Sequence, residues 1–133
     1  MRKVLLILVL VSYCTITQAA KKYPFTANSI VPAARGNVGI DKDKNGNVRV
    51  RIEVEHLARP ENLSPPAAAY IVWVQDKGEI AENHGVMKVD KNLNASFETT
   101  TQTKSFDLFV TGERDSGTKF PTGPEVFRTP IQP

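Results

Sequence analysis

The first place where residue type and spacing could do chemistry is Asp41-Lys42-Asp43-Lys44-Asn45-Gly46. Asp, Asp and Asn at alternate positions match the front half of a calcium loop, which closes with a bidentate glutamate at its twelfth position. That position here is Ile52, inside an apolar alternation. A solvated hairpin turn is therefore expected, with Asn45-Gly46 at its tip because both residues tolerate φ > 0. The two histidines, His56 and His84, lie in no metal-ligand spacing, and two without cysteines fall short of a structural zinc site. Ser64, Ser96, Ser105 and Ser116 lack the strand-to-helix elbow that exposes a nucleophilic serine. Glu113 and Glu125 are a pair of acids of the kind a glycosidase uses, although scattered acids are expected on any sheet surface. Tyr70 and Trp73, three apart on a strand, point to opposite faces and cannot form one sugar-stacking platform. These patterns point to no catalytic residue, no cofactor and no metal.

The elements that would position these residues are strands. Val48, Val50, Ile52 and Val54 alternate with Arg49, Arg51, Glu53 and Glu55. A period of two means one buried and one solvated face, and the mixed-sign stripe is a solvated sheet face. Tyr70-Ile71-Val72-Trp73-Val74 is apolar throughout, as expected of a central strand covered on both sides. Further strands are expected at 38–40, 85–89, 95–101, 106–111 and 125–129, with turn residues between them. Pro60, Pro65 and Pro66 make 57–69 an irregular crossover, with Leu57 and Leu63 plugging one end of the core. Seven short strands in about 95 residues indicate an all-β, immunoglobulin-like antiparallel sandwich, with Trp73 as its core tryptophan. A small barrel is the competing architecture.

The N-terminus has another character. Arg2 and Lys3 precede an apolar stretch from Val4 to Ile16, which ends in Thr17-Gln18-Ala19-Ala20. This is the pattern of a secretory signal peptide over residues 1–19, cleaved after Ala19 or, as the second choice, Ala20. The apolar stretch is well short of the roughly 20 residues that span a bilayer, so no transmembrane segment is expected after its removal. Residues 20–35 are expected to form a tether and 36–133 the sandwich domain. The single cysteine, Cys14, falls within the signal. Val11-Ser12-Tyr13-Cys14 is similar to a lipidation signal, which leaves a lipid anchor as the minor alternative. A mature chain without cysteine must be held by its core alone, which a domain of this size can supply. The formal charge is +3, and loss of Arg2 and Lys3 leaves 15 basic against 14 acidic residues. The basic residues are dispersed, so no nucleic-acid footprint is present.

Several segments taken in order resemble a known family. They are Gly36-Asn37-Val38-Gly39-Ile40, Leu57 with the proline-rich crossover, Tyr70-Ile71-Val72-Trp73-Val74, Phe109-Val110-Thr111-Gly112-Glu113 and Pro121-Thr122-Gly123-Pro124-Glu125-Val126. Together they resemble the C-terminal, extracytoplasmic domain of anti-sigma-K-type regulators, over about residues 33–128. The cytoplasmic sigma-capturing segment and the membrane helix of that family are not found in this chain, so sigma binding is not carried over. The resemblance implies a stand-alone outer domain that senses or makes protein contacts at a bacterial envelope. The leading expectation is thus a non-catalytic periplasmic or secreted protein with an envelope protein partner. A small-ligand or calcium-binding module and, further off, a hydrolase are the alternatives.

Overall fold

The computed structural model describes Ser12 and residues 20–132. The expected signal peptide, with Cys14 and Ala19, lies outside the described residues save Ser12, whereas Ala20 is exposed just before the first strand. Nine strands are present among the described residues: β1 (Lys21–Pro24), β2 (Thr26–Ala27), β3 (Arg35–Lys42), β4 (Val48–Glu55), β5 (Ala69–Asp76), β6 (Glu82–Met87), β7 (Ala95–Thr101), β8 (Phe106–Glu113) and β9 (Glu125–Ile131). They form a four-stranded sheet in the order β1-β3-β4-β7 and a five-stranded sheet in the order β2-β9-β8-β5-β6, with all pairs antiparallel. The protein is an all-β sandwich. Among the described residues, no helix is long and apolar enough to cross a membrane.

The alternation of β4 sets the first layer. Val48, Val50, Ile52 and Val54 are buried and face the second sheet, while Arg51, Glu53 and Glu55 are exposed. Each fully buried aliphatic side chain of this kind contributes about 1.5–3 kcal/mol by leaving water. The tip of the β3–β4 hairpin is Asn45-Gly46, and Gly46 has φ 78°. The crossover from β4 to β5 contains a short turn of 3-10 helix at Pro60–Asn62. Leu57 and Leu63 are buried at that end of the core.

Two expectations change. Residues 21–27 are not a tether: β1 pairs with β3 on one sheet and β2 with β9 on the other. Phe25, between them, stacks on Phe127 with ring centroids 4.1 Å apart. The Tyr23 hydroxyl donates to the Gln132 carbonyl at 3.0 Å. Strands this short leave no periodicity to read, and only contacts distant in sequence hold them. The second change concerns Trp73. It is fully buried, but not between the sheets. Tyr70, Val72 and Val74 face the inter-sheet core, whereas Ile71 and Trp73 form a separate cluster with Ala81 and Phe109 on the outer face of the five-stranded sheet. The strand is covered on both sides, as its unbroken apolar run requires, and Trp73 belongs to the second cover.

Candidate functional site

The outer face of β8 carries Phe109, Thr111 and Glu113 in a row. Alternate residues share a face, and this is the face that holds Trp73. Glu113 is only 1% exposed. Its Oε1 accepts from the Thr111 hydroxyl at 2.7 Å and the Thr122 backbone N–H at 2.9 Å. Its Oε2 accepts from the Thr122 hydroxyl at 2.6 Å, and the Gly123 N–H is shared between both oxygens at 3.0 Å. Trp73 Nε1 donates to Thr111 Oγ1 at 2.8 Å and completes the chain. The loop that delivers Thr122 and Gly123 is pinned from below, because the Gly112 N–H donates to the Pro124 carbonyl at 3.0 Å. A Cβ at Gly123 would overlap the Gly112 carbonyl oxygen, so the loop reaches the carboxylate only with glycine there. Burial pushes the Glu113 carboxyl up, but the donors from Thr122, Gly123 and Thr111 together outweigh it and hold the group below its ordinary value. A buried carboxylate whose lone pairs are all taken by neutral donors is a fastening, and no lone pair is left over for a substrate proton.

The other sequence candidates are committed elsewhere. Glu125 accepts from Arg128 at 2.8 Å, and the Arg128 guanidinium also lies 4.1 Å from the Phe109 ring centroid. Asp41 holds Arg49 through both oxygens, at 2.7 and 2.6 Å, and that hydrogen-bonded guanidinium keeps its carboxyl below the usual range. Asp43 Oδ1 accepts the backbone N–H groups of Asn45 and Asn47, both at 2.9 Å, so the would-be calcium loop closes on itself. No group of three His, Cys, Asp or Glu side chains is arranged to hold a metal among the described residues. His84 Nδ1 lies 2.9 Å from Thr99 Oγ1, tying β6 to β7. None of Ser64, Ser96, Ser105 and Ser116 is hydrogen-bonded to either histidine among the described residues. Tyr70, on the inner face, donates to the Ala58 carbonyl at 2.6 Å, and burial, with Glu61 nearby, pushes its hydroxyl up to about 12.

A second turn repeats the first almost residue for residue. Asp43-Lys44-Asn45-Gly46-Asn47 has its twin in Asp90-Lys91-Asn92-Leu93-Asn94, between β6 and β7. Asp90 Oδ1 accepts the N–H groups of Asn92 and Asn94, at 2.8 and 3.0 Å, and the Asp90 N–H donates to the Asn94 carbonyl as Asp43 does to Asn47. The fourth position is left-handed in both turns. Gly46 adopts φ 78° at no steric cost, whereas Leu93 adopts φ 63° against one. Next to it His56 is also left-handed, at φ 56°, and the Leu57 N–H donates to the Leu93 carbonyl at 2.9 Å. Leu93 nevertheless leaves 38% of its surface exposed.

This strained corner borders an open cleft of about 530 Å³ on the outer face of the four-stranded sheet. Arg35, Glu53, Glu55, Lys88 and Asp90 line it, and none of the five is in an ion pair among the described residues. Arg35 and Glu55 also border the adjoining hollow that contains His56, Ala58 and Leu93. Elsewhere on the same face charges are paired: Arg49 with Asp41, and Arg51 with Glu98 at 3.0 Å. The expected solvated stripe thus has two halves, one paired within the sheet and one left free around a cleft. The sequence reading passed over this corner, although the repeated Asp-Lys-Asn-x-Asn, with leucine in place of glycine, was its visible signal.

No known protein-family model matches the chain, and no curated protein matches it.

Proposed function

We propose that this domain is a non-catalytic recognition module exported to a bacterial envelope, where the cleft beside Leu93 and His56 binds another protein. The observation that carries the reading is the pairing of stored backbone strain with unspent charge. Two non-glycine residues are held left-handed at an exposed corner, where such conformations cost of order 1–3 kcal/mol each and cluster at functional sites. Five charges of both signs, none in an ion pair among the described residues, surround the neighbouring cleft. An exposed leucine that shares a hollow with Arg35 and Glu55 suits a polypeptide partner, in which an apolar anchor is flanked by a polar rim. The reading also draws on the resemblance to the outer domain of anti-sigma-K-type regulators. Trp73, Thr111, Glu113, Thr122 and Gly123, drawn from three separate motifs, meet in one hydrogen-bonded network. In this reading those motifs specify the scaffold, residues 1–19 direct export, and recognition falls to the cleft.

The test is affinity capture of the tagged chain from crosslinked envelope extract, run beside Leu93→Gly and Glu55→Lys. One stoichiometric envelope protein, recovered with the wild type and lost with both variants, is the expected outcome. Recovery of the bare chain alone sinks the reading. The cleft volume, within the roughly 300–1,000 Å³ of small-molecule sites, favours one second reading, a small-ligand module. A melting-temperature screen against charged metabolites would then show a shift that Glu55→Lys abolishes.

A further inference from the structure

The sandwich has four sheet edges, and they are not guarded alike. β1 carries Lys21, Lys22 and Pro24, and charge and proline both discourage pairing. β2 is only two residues long. β6 is irregular, with Gly85 at φ 124° and a register shift where it pairs with β5. β7 has none of these devices. Ala95-Ser96-Phe97-Glu98-Thr99-Thr100-Thr101 contains no lysine, proline or glycine, and it pairs with β4 over seven residues without a shift. Its one charge, Glu98, is matched by Arg51 of its own sheet. Its β-branched threonines favour a strand. Its free edge is closed only at Ala95, where Val89 forms a bridge.

We propose that β7 pairs edge to edge with β7 of a second copy of this chain, antiparallel and centred on Thr99, which joins two four-stranded sheets into one of eight. Symmetry and charge select this register. A two-fold axis through the sheet keeps each residue on its own face, so a strand can be centred only on a residue. Centring on Glu98 would place the two Glu98 side chains directly opposite each other, which is unfavourable. It would also require Ala95 to pair with Thr101 of the other copy, and Val89 already occupies that stretch of edge. Centring on Thr99 avoids both. Glu98 then faces Thr100, Phe97 faces Thr101, and Thr99 faces its own copy, so that no like charges are directly opposed, while the Thr99 hydroxyl stays with His84 Nδ1. Centring on Thr100 shortens the overlap to Thr99–Thr101. An identical patch on both copies is what a closed two-fold dimer needs.

Sedimentation equilibrium of the purified exported chain, from micromolar to millimolar protein, tests this without any envelope partner. A reversible monomer–dimer equilibrium is expected. Thr100→Glu places a second carboxylate opposite Glu98 at two symmetric positions and should weaken the dimer about tenfold. Thr100→Lys, at the same exposed site, should dimerise at least as tightly as the wild type. Circular dichroism of both variants checks that the strands remain. A monomer at every concentration overturns the proposal. So does a dimer that is indifferent to the sign of the charge at position 100, since it would use another surface.

Discussion

Around Glu113, four donors converge on one carboxylate that is 1% exposed, and the neighbouring backbone carries no left-handed residue. At the corner around Leu93 the arrangement is reversed: two left-handed residues sit side by side, an apolar side chain faces solvent, and the charges lining the nearby cleft are in no ion pair among the described residues. The 43–47 turn serves as an internal control. It repeats the 90–94 turn in sequence and hydrogen bonding, but has glycine at the strained position and lies next to the Asp41–Arg49 ion pair. The contrast separates two uses of polar groups. Among the described residues the polar cluster around Glu113 is a fastening, whereas the surface proposed to bind is the one where backbone strain and charges outside ion pairs are kept.

The largest expected effect tests the fastening. Glu113→Gln replaces an acceptor oxygen with an NH₂ that faces donors, and should cost about 2–4 kcal/mol in urea unfolding. Because the folded carboxyl lies below its ordinary value of 4.5, the unfolded chain binds the proton more readily. The stabilisation is therefore full above that value and is lost as pH falls through the lower folded value. Melting temperatures taken from neutral pH into the acid range should drop more steeply for the wild type than for Glu113→Gln. Parallel curves would mean that Glu113 is not the group that fastens the loop.

Next comes Gly46→Leu, which makes the control turn copy its twin. It should destabilise by about 1–2 kcal/mol, the cost of a left-handed non-glycine residue. A neutral result would remove the strain argument at Leu93 as well. Asp43→Ala and Asp90→Ala each release two backbone N–H groups at exposed turns, and should each cost about 1 kcal/mol by chemical denaturation. Equal losses sharpen the comparison, whereas a loss confined to one turn would show that the two are alike only in outline. The smallest change in stability belongs to Leu93→Gly. Relief of strain is offset by the extra freedom glycine gives the unfolded chain, leaving a net change below about 1 kcal/mol. Partner capture should nevertheless fall, and unchanged capture would reduce the corner to an oddity of the fold.

Much of this was legible one strand at a time. Val48 to Val54 declared its two faces, Asn45-Gly46 declared its hairpin, and the run from Tyr70 to Val74 declared burial on both sides, because pleat and turn chemistry are set by neighbours along the chain. What lay beyond reach depended on residues far apart in sequence. β1 and β2 exist because Tyr23 and Phe25 meet Gln132 and Phe127. Trp73 could be placed in a core from its type, but which of two cores it joins was decided by the outer-face cover that Ala81 and Phe109 complete. The acids at 113 and 125 look equivalent in sequence, and only the return of Thr122 and Gly123 across Gly112 makes one a buried anchor while the other pairs with Arg128 on the sheet. The alternating charges from Arg49 to Glu55 were determined as a solvated stripe by the sequence itself. Register and side-chain placement together divided that stripe: Asp41 and Glu98 fall opposite Arg49 and Arg51 and pair with them, Asn37 and Ser96 fall opposite Glu53, and Arg35 falls opposite Glu55 without forming an ion pair.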